Sequence, residues 1–320
     1  MRFVFIINPV AGKQNLQEKL KEDIKAYFEN QDCEYNIFES EYAGHAKEIA
    51  KREAEKGDEV VIFGCGGDGT LYETLNGVYG HSNAAIGVIP LGSGNDFVKT
   101  FGGKSDFLSI EYQVKGGMIS SDVVKCQDNV SLNVACVGFD AYVAANMTKF
   151  KNWPLVSGSM SYMLSIFYCL FKFYSTKLKV TLDDDIVKNG DYMFVVGANA
   201  CYYGGGFYPA PDAIVNDGFI DVVRIDRVPK LKLISLISKY KKGDIAKEKC
   251  CHTHRVKKLA VESESELIAN LDGETIRAEN GRLEFEILHN AINLWLPSSV
   301  LESDDFKKKY EQKVKITEKA

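Results

Sequence analysis

Apolar and polar residues follow two different patterns along the chain, and the change between them lies near residue 120. In the first part, short apolar runs alternate with longer segments whose apolar residues recur at helical spacing. Unbroken apolar runs are typical of strands buried on both faces, and helical spacing indicates amphipathic helices. The alternation predicts an α/β domain with a parallel sheet and helices on both faces. Strands are predicted at Arg2–Ile7, Glu34–Phe38, Val60–Phe63 and Ala85–Pro90, and helices at Asn15–Asn30, His45–Lys56, from Thr70 onward and at Ser105–Lys115.

From Met118 onward, short runs of alternating apolar and polar residues are separated by turn residues. This texture predicts antiparallel strands and a second domain that is a β-sandwich or barrel-like structure with few helices. Turns are expected at Asp183–Asp185, Asn189-Gly190 and Asn280-Gly281. A helix is predicted at Leu231–Lys242, and its lysine-rich end is either a solvated surface or an approach to an anionic membrane.

Composition narrows the class of protein. At 320 residues the chain is long enough for two domains, and 45% hydrophobic with 26% charged residues is typical of a soluble globular protein. A net charge of −5 argues against nucleic-acid binding, which usually needs a basic face. Eight cysteines lie mostly in apolar runs, and Met1 leads straight into a strand, so no signal peptide is expected. A reducing cytoplasm is therefore the expected compartment.

Two segments invite alternative interpretations. The uncharged run Pro154–Phe171 contains several serines and is closely bracketed by lysines, so we expect a helix packed on the sheet rather than a transmembrane span. The alternative is a helix that contacts lipid or a membrane surface. The CCHTH sequence at 250–254 is predicted to lie in a lysine-rich loop and lacks the separated ligand pairs of zinc sites, so a structural or surface role is expected.

The stretch Val60–Val78 passes from a buried strand through a glycine-rich turn at 64–69 into a helix. Such a turn lets backbone N–H groups approach a phosphate, and the helix start adds a positive dipole end. The spacing of Thr70 and Glu73 predicts a capping box. Asp68 would repel phosphate unless a divalent cation lies between them, so it indicates Mg²⁺ bound together with a nucleotide. The simpler alternative is a solvated aspartate in a tight turn.

A second loop of the same kind follows the strand that ends at Pro90. Gly92, Ser93 and Gly94 turn the chain, and Ser93 with Asp96 repeats the capping spacing. Loops that follow parallel strands emerge at the same edge of a sheet, where ligands bind. Asp68 and Asp96 are therefore predicted to face one nucleotide.

Five motifs in a fixed order resemble the diacylglycerol kinase catalytic family, and the bacterial soluble lipid kinases match best. They are NPVAG at 8–12, GGDGT at 66–70, PLGSGNDF at 90–97, PAPDAIVNDGFIDV at 209–222 and LDGE at 271–274. Sphingosine and ceramide kinases are relatives, and NAD kinase and phosphofructokinase share the GGDGT loop. Ser93 departs from the family, which more often has Thr there, but keeps the hydroxyl group.

The resemblance implies a nucleotide-binding domain at 1–120 with an NAD-kinase/phosphofructokinase-like fold. It also implies a β-sandwich lipid-substrate domain at 121–293 and a C-terminal segment, about 294–320, that folds back on the first domain. The residues implied to bind ATP are Asn8, Pro9, Gly12, Lys13, Ser40, Gly66, Gly67, Asp68, Gly69, Thr70, Gly92, Ser93, Gly94, Asn95 and Asp96. Lys13 is equally well explained as a solvated lysine. His45, at a predicted helix start, is expected to be a capping or packing residue rather than a general base.

The resemblance also implies sites in the second domain. A structural Mg²⁺ would be held by Asp217 and the backbone carbonyl groups of Ile214 and Phe219, with Asp212 and Asp221 as further candidates. Either Asp272 or Glu274 would accept the proton of the substrate hydroxyl, the other orienting Mg²⁺ or substrate; the sequence does not rank them.

The predicted function is an ATP-dependent lipid kinase that uses Mg²⁺ and transfers the γ-phosphoryl group to diacylglycerol or a related lipid. Asp68, Asp272 and Glu274 are its predicted catalytic residues. The alternatives are a kinase of another acceptor, such as a sphingoid lipid or NAD, and a catalytically silent nucleotide- or lipid-binding regulator. A cytoplasmic protein associated peripherally with the inner face of the membrane is expected, without a transmembrane segment, and a homodimer would be unsurprising.

Overall fold

The computed structural model describes residues 1–12, 15–139, 141–143, 146, 164, 165, 168, 169, 172 and 175–311. The chain divides into two compact units. One comprises Met1–Ser121 and Asn290–Ala320, and the other comprises Asp122–His289.

The first unit is built on a parallel sheet, which confirms the predicted α/β architecture. Its strands are β1 (Arg2–Ile7), β2 (Tyr35–Glu39), β3 (Val60–Gly66) and β4 (Ala84–Pro90), and its helices are α1 (Leu16–Phe28), α2 (His45–Ala54), α3 (Asp68–Val78), α4 (Asp96–Lys99), α5 (Lys104–Leu108) and α6 (Ile110–Val114). The strand order is β2-β1-β3-β4, and every neighbouring pair is parallel. The carboxyl ends of the four strands therefore point to the same edge of the sheet.

Aromatic side chains fill the core of this unit. Phe5 of β1 stacks on Phe63 of β3 with ring centroids 5.0 Å apart, and Phe28 of α1 stacks on Tyr35 at 4.5 Å. The strands β1, β3 and β4 are buried along their whole lengths. Their unbroken apolar sequences follow from this burial on both faces.

The second unit is built from antiparallel strands, as predicted. The strands are β5 (Gly117–Cys126), β6 (Asn129–Ser131), β7 (Val134–Gly138), β8 (Thr176–Leu182), β9 (Ile186–Ala198), β10 (Ile220–Asp226), β11 (Cys251–Val256), β12 (Lys258–Glu262), β13 (Leu267–Leu271), β14 (Glu274–Ala278) and β15 (Arg282–Leu296), and the helix α7 spans Lys230–Lys242. One face of β9 and β10 packs on α7, where Phe194, Val223 and Ile225 meet Leu236 and Tyr240. The opposite face of β9 and β10 carries side chains that do not pack on α7.

The end of the chain belongs to the first unit. Asn293 and Leu294 of β15 pair in parallel with β4, and the short helices α8 (Ser298–Glu302) and α9 (Asp304–Phe306) follow, with a π-helical turn at Lys307–Glu311. Phe306 and Tyr310 pack on Phe101, with ring centroids 6.4 and 5.8 Å away.

Three predictions of local structure were wrong. The single helix expected at Ser105–Lys115 is two helices, because Ser109 breaks the first and its hydroxyl caps the second by accepting from the Tyr112 N–H. Asn189-Gly190 lies inside β9 rather than in a turn. The sequence Cys251–His254, expected in a loop, belongs to β11, which pairs with β10.

Among the described residues, no helix is both long enough and apolar enough to span a membrane. The segment Pro154–Phe171, predicted to pack as a helix on the sheet, lies almost entirely outside the described residues.

Candidate nucleotide and acid-base sites

Three loops meet at the carboxyl edge of the parallel sheet: 8–12 after β1, 66–70 after β3 and 91–96 after β4. The Gly66 carbonyl oxygen accepts hydrogen bonds from the N–H groups of Leu91 and Gly92, at 2.8 and 3.0 Å. A Cβ atom on Gly92 would lie 2.5 Å from the Cα atom of Gly67. The second and third loops therefore touch backbone to backbone, which requires glycine.

Asn8 and Gly12 join the first loop to the other two. The Asn8 amide donates to the Thr70 hydroxyl oxygen at 3.1 Å, and the Asn8 N–H donates to the Cys65 carbonyl oxygen at 3.0 Å. Gly12 has a φ of 80°, and a Cβ atom on it would lie 2.2 Å from the Leu91 carbonyl oxygen. Only glycine suits this position, since the backbone is left-handed and the space is filled.

The contacts of Thr70 and Glu73 show that the predicted capping box is wrong. Helix α3 begins at Asp68, and its N-cap Gly67 has no side chain to cap it. The Glu73 carboxylate instead accepts from the N–H groups of Gly44 and Ala46, at 2.8 and 3.2 Å, and so caps α2. The second capping pair fails similarly, because α4 begins at Asp96 itself.

Asp68 and Asp96 lie together beside Gly94. A Cβ atom on Gly94 would lie 2.5 Å from Asp68 Oδ2 and 3.8 Å from Asp96 Oδ2. Asp68 Oδ1 accepts from the Asp96 N–H at 2.7 Å, and Asp96 Oδ1 pairs with Lys99 Nζ at 2.6 Å. Two carboxylates beside a glycine loop form the hard-oxygen donor set that Mg²⁺ prefers, and the loop's small residues leave room for phosphate.

The other residues predicted at the nucleotide site, and also His45, have the following surroundings. Ser40 lies beside the first loop, because its N–H donates to the Ile7 carbonyl oxygen at 3.0 Å. His45 accepts from the Glu41 N–H at 3.1 Å and stacks on Tyr42, as expected of a packing residue. Lys13 lies outside the described residues. Pro9, Gly69, Ser93 and Asn95 lie within the three loops or at the start of α3.

Asp272 and Glu274 have opposite surroundings in the second unit. The Asp272 side chain is half-buried, and its carboxylate accepts from the backbone N–H groups of Leu132, Asn133 and Val134, at 2.7 to 3.1 Å. Burial raises the pKa of Asp272, and these N–H donors oppose that rise. Glu274 opens β14 and is exposed. The geometry therefore favours Glu274 over Asp272 as a proton acceptor, because both oxygens of Asp272 already hold the backbone at residues 132–134.

The Asp217 turn holds a guanidinium group where a cation was predicted. Arg255 forms an ion pair with Asp217, contacts Asp221 at 3.3 Å and lies 4.8 Å above the Phe219 ring. The other Asp217 oxygen accepts from the Phe219 N–H at 3.2 Å. A Mg²⁺ ion on Asp217, Ile214 and Phe219 would share the Asp217 carboxylate with Arg255, and this metal site stays a prediction. The described residues contain no cluster of three or more His, Cys, Asp or Glu side chains arranged for a metal.

Comparison with known proteins identifies the family. Residues 2–126 match the diacylglycerol kinase catalytic domain, and residues 133–295 match the YegS C-terminal NAD kinase beta sandwich-like domain. The chain belongs to the diacylglycerol kinase catalytic family. This family is a family of kinases.

Curated relatives include diacylglycerol kinases of two staphylococci. The Staphylococcus saprophyticus protein is 27% identical over 273 residues, covering 84% of this chain and 87% of its own. The Staphylococcus epidermidis protein is 26% identical over 305 residues, covering 93% of each chain. The family therefore extends over most of this chain.

Solved structures share the fold. A diacylglycerol kinase from Bacillus anthracis superposes with a TM-score of 0.67 at 20% identity, covering 93% of this chain and 98% of its own. An NAD kinase from Archaeoglobus fulgidus, crystallised in complex with ATP, gives a TM-score of 0.53 at 13% identity, covering 97% of this chain and 98% of its own. Both confirm the predicted combination of an α/β domain and a β-sandwich.

The contacts of two residues, Lys104 and Asp122, were not predicted from the sequence. Lys104 Nζ donates to the Gly92 carbonyl oxygen at 3.3 Å, and the loss of surrounding water lowers its pKa. Asp122 is fully buried, accepts from the Gly218 N–H at 2.6 Å and contacts His289 Nδ1 at 2.8 Å. Neither lies in a quoted motif, and the only sequence signal for Asp122 is an aspartate within the predicted strand ISSDVVKC.

Proposed function

We propose that this chain is an ATP-dependent lipid kinase that transfers the γ-phosphoryl group to the hydroxyl group of diacylglycerol or a related lipid. The observation that carries the proposal is the meeting of three glycine loops around Asp68 and Asp96. Family membership and the staphylococcal relatives named diacylglycerol kinase support the same reaction class and acceptor.

In this proposal the first unit holds ATP. The N–H groups of the loops and the start of α3 bind the phosphates, and Asn8 keeps the first loop in register with Thr70. Asp68 and Asp96 would hold Mg²⁺, which neutralises phosphate charge when bound. These residues contribute to catalysis mainly by holding the phosphates in one reactive geometry and excluding other geometries.

Glu274 is the proposed proton acceptor for the lipid hydroxyl group. Glu274 is exposed at the start of β14, whereas the Asp272 carboxylate accepts hydrogen bonds from backbone N–H groups of residues 132–134. Asp272 then acts as a positioning residue, because it fixes the turn from which Glu274 projects. This arrangement assigns the two adjacent carboxylates one chemical role and one structural role.

Helix α7 supports peripheral contact with a membrane. Leu231 is 83% exposed and Ile234 is 50% exposed, although both are apolar. Lysines at both ends of the same helix, Lys230 and Lys232 at its start and Lys241 and Lys242 at its end, would face anionic head groups. Apolar side chains among lysines are typical of helices that bind at a membrane interface.

The acceptor can be tested by incubating the purified chain with γ-labelled ATP, Mg²⁺ and micelles of diacylglycerol, ceramide, sphingosine, monoacylglycerol or undecaprenol. NAD is tested in a parallel tube. Label in diacylglycerol is expected. Label in NAD would contradict the lipid proposal, and ATP binding without transfer to any acceptor would favour a silent regulator.

A further inference from the structure

Arg224 of β10 is a buried cation with little to balance it. Its side chain is 3% exposed, and its Nη1 donates to the Tyr192 hydroxyl oxygen at 3.0 Å. Its Nε atom is buried without a hydrogen-bond partner. No carboxylate of the described residues lies within ion-pair distance of Arg224. A buried guanidinium with one neutral partner is costly unless an anion completes its surroundings.

Further basic groups lie on the same face of the sheet. Arg224 is directly opposite His252 of β11, and Val222, two residues earlier on the same face, is opposite His254. This face is turned away from the apolar core to which Val223 and Ile225 belong. The two histidines and the arginine therefore form one cluster on β10 and β11.

The charge of this cluster is positive. Burial lowers the pKa of His254, and the positive charges of Arg224, Lys188 and His252 lower it further. The His254 Nδ1 atom is buried without a partner. Asp226 is the acidic neighbour, and its carboxylate is engaged by His252 Nε2 at 2.8 Å. Arg224 is consequently a buried positive charge beside two unsatisfied nitrogen atoms, its own Nε and His254 Nδ1.

We infer that Arg224 and His254 form a binding subsite for an oxyanion of the phosphate class, separate from the three glycine loops. Phosphate oxygens accept hydrogen bonds from guanidinium and imidazole groups at once, and charge-assisted bonds are the strong ones. A metal ion is disfavoured, because the cluster is cationic. The ligand is either free phosphate or the head group of an anionic phospholipid.

The imidazole signals of the two histidines provide a test that does not depend on kinase activity. The full chain is labelled with ¹⁵N and titrated at neutral pH with inorganic phosphate, against chloride at equal ionic strength. We expect the signals of His252 and His254, assigned with His252→Gln and His254→Gln, to shift on phosphate binding. No shift at about 100 mM phosphate, a hundredfold above a millimolar Kd, would overturn the inference.

Substitutions locate the binding. His254→Gln and Arg224→Gln are each expected to weaken phosphate binding, followed by the His252 signal, about tenfold or more, since each removes a hydrogen bond to the anion. Lys177→Gln, at an exposed lysine of strand β8, is the control and is expected to bind as the wild type does. Because His254 is only half-buried, its variant tests the site even where Arg224→Gln fails to fold. Equal affinity of the His254→Gln and Lys177→Gln variants would contradict the site.

A second titration distinguishes the two sources of the anion. Dihexanoyl phosphatidate, a phospholipid used below its micelle concentration, replaces inorganic phosphate. Equal Kd values would identify a free oxyanion as sufficient, and at least tenfold tighter binding of the phosphatidate would identify a lipid head group. Histidine signals that respond to neither ligand would overturn the subsite.

Discussion

Asp272 and Glu274 show how two carboxylates two positions apart can serve different purposes. Asp272 has a φ of 49°, and its side chain reaches back to three successive N–H groups of residues 132–134. Glu274 begins the next strand, exposed to solvent. In the proposed function the first carboxylate therefore fixes the turn, and the second accepts the proton of the lipid hydroxyl group.

Substitution separates the two roles. Asp272→Asn is expected to lower the free energy of unfolding by about 2–4 kcal/mol, because the amide offers one acceptor oxygen and turns its NH₂ toward N–H donors. Glu274→Gln is expected to leave stability within about 0.5 kcal/mol and to reduce kcat by about 10²–10⁴. Urea denaturation and kcat for lipid phosphorylation check both. A stable, inactive Asp272→Asn variant with an active Glu274→Gln variant would reverse the assignment.

Gly94 offers a test of the Asp68–Asp96 pair that leaves both carboxylates in place. In Gly94→Ala the new methyl group would lie 2.5 Å from Asp68 Oδ2 and force that carboxylate to move. We expect kcat/KM for ATP to fall by about tenfold or more, as for other misplaced catalytic groups. Gly103→Ala is the control, because its nearest neighbour is the Ser105 hydroxyl at 3.8 Å. Equal activity of the two variants would argue against a role for this pair.

Residue types alone could not reveal several of these contacts. Thr70 and Glu73 have capping-box spacing, but the Glu73 carboxylate caps another helix 29 positions earlier in the chain. Asp272 binds N–H groups about 140 positions away. Sequence spacing predicts local hydrogen bonds, and these contacts exist only once strands and helices are assembled.

Between elements, the join of β1 to α2 depends on a buried ion pair. Arg2 contacts Glu53, 1% exposed, at 2.6 Å and Asp58 at 2.9 Å, and Lys56 also reaches Glu53. Burial would raise the pKa of Glu53, but hydrogen bonds from Lys56 and Arg2 outweigh it, so the pKa is lowered. The charged form of Glu53 therefore stabilises the folded state.

This pair makes stability depend on pH in a defined direction. A carboxyl group whose pKa is lowered by folding contributes stability above its unfolded pKa and loses it as the pH falls through the folded pKa. For Glu53 the loss begins below about pH 4.5, its ordinary pKa. Glu53→Gln is expected to cost about 3 kcal/mol at pH 7, because it leaves Arg2 without its buried partner. Denaturant unfolding between pH 3 and 7 should show this cost shrink on acidification; a constant cost would contradict the pair's role.

Helix α7 gives the membrane proposal its own test. Replacing Leu231 and Ile234 together by Ser is expected to weaken binding to vesicles of anionic phospholipid about tenfold, since two exposed apolar side chains no longer enter the interface. Leu108→Ser, at an exposed leucine of the first unit, is the control. Vesicle co-sedimentation measures both. Unchanged vesicle binding by the double variant would show that α7 does not contact the membrane.

Along the chain, the sequence predicted the fold class of each unit better than it predicted individual strands and their contacts. The alternation of buried runs and amphipathic segments correctly predicted the parallel sheet, because burial on both faces leaves a strong signal in β1, β3 and β4. The strand β11 was missed, because its alternation of His and Thr resembles a polar loop. The sequence motifs identified these glycines. Their backbone-to-backbone contacts could not be predicted, because they form only when the sheet is folded.

The central claim is transfer of a phosphoryl group to a lipid by a site that contains Asp68. The most direct measurement is the transfer of label from γ-labelled ATP to diacylglycerol in mixed micelles, by the wild type and by Asp68→Asn with matched circular dichroism spectra. Labelled phosphatidate from the wild type and a loss of about 10³ or more in Asp68→Asn are expected. No lipid product from an ATP-binding wild type, or undiminished turnover by a folded Asp68→Asn variant, would contradict the account.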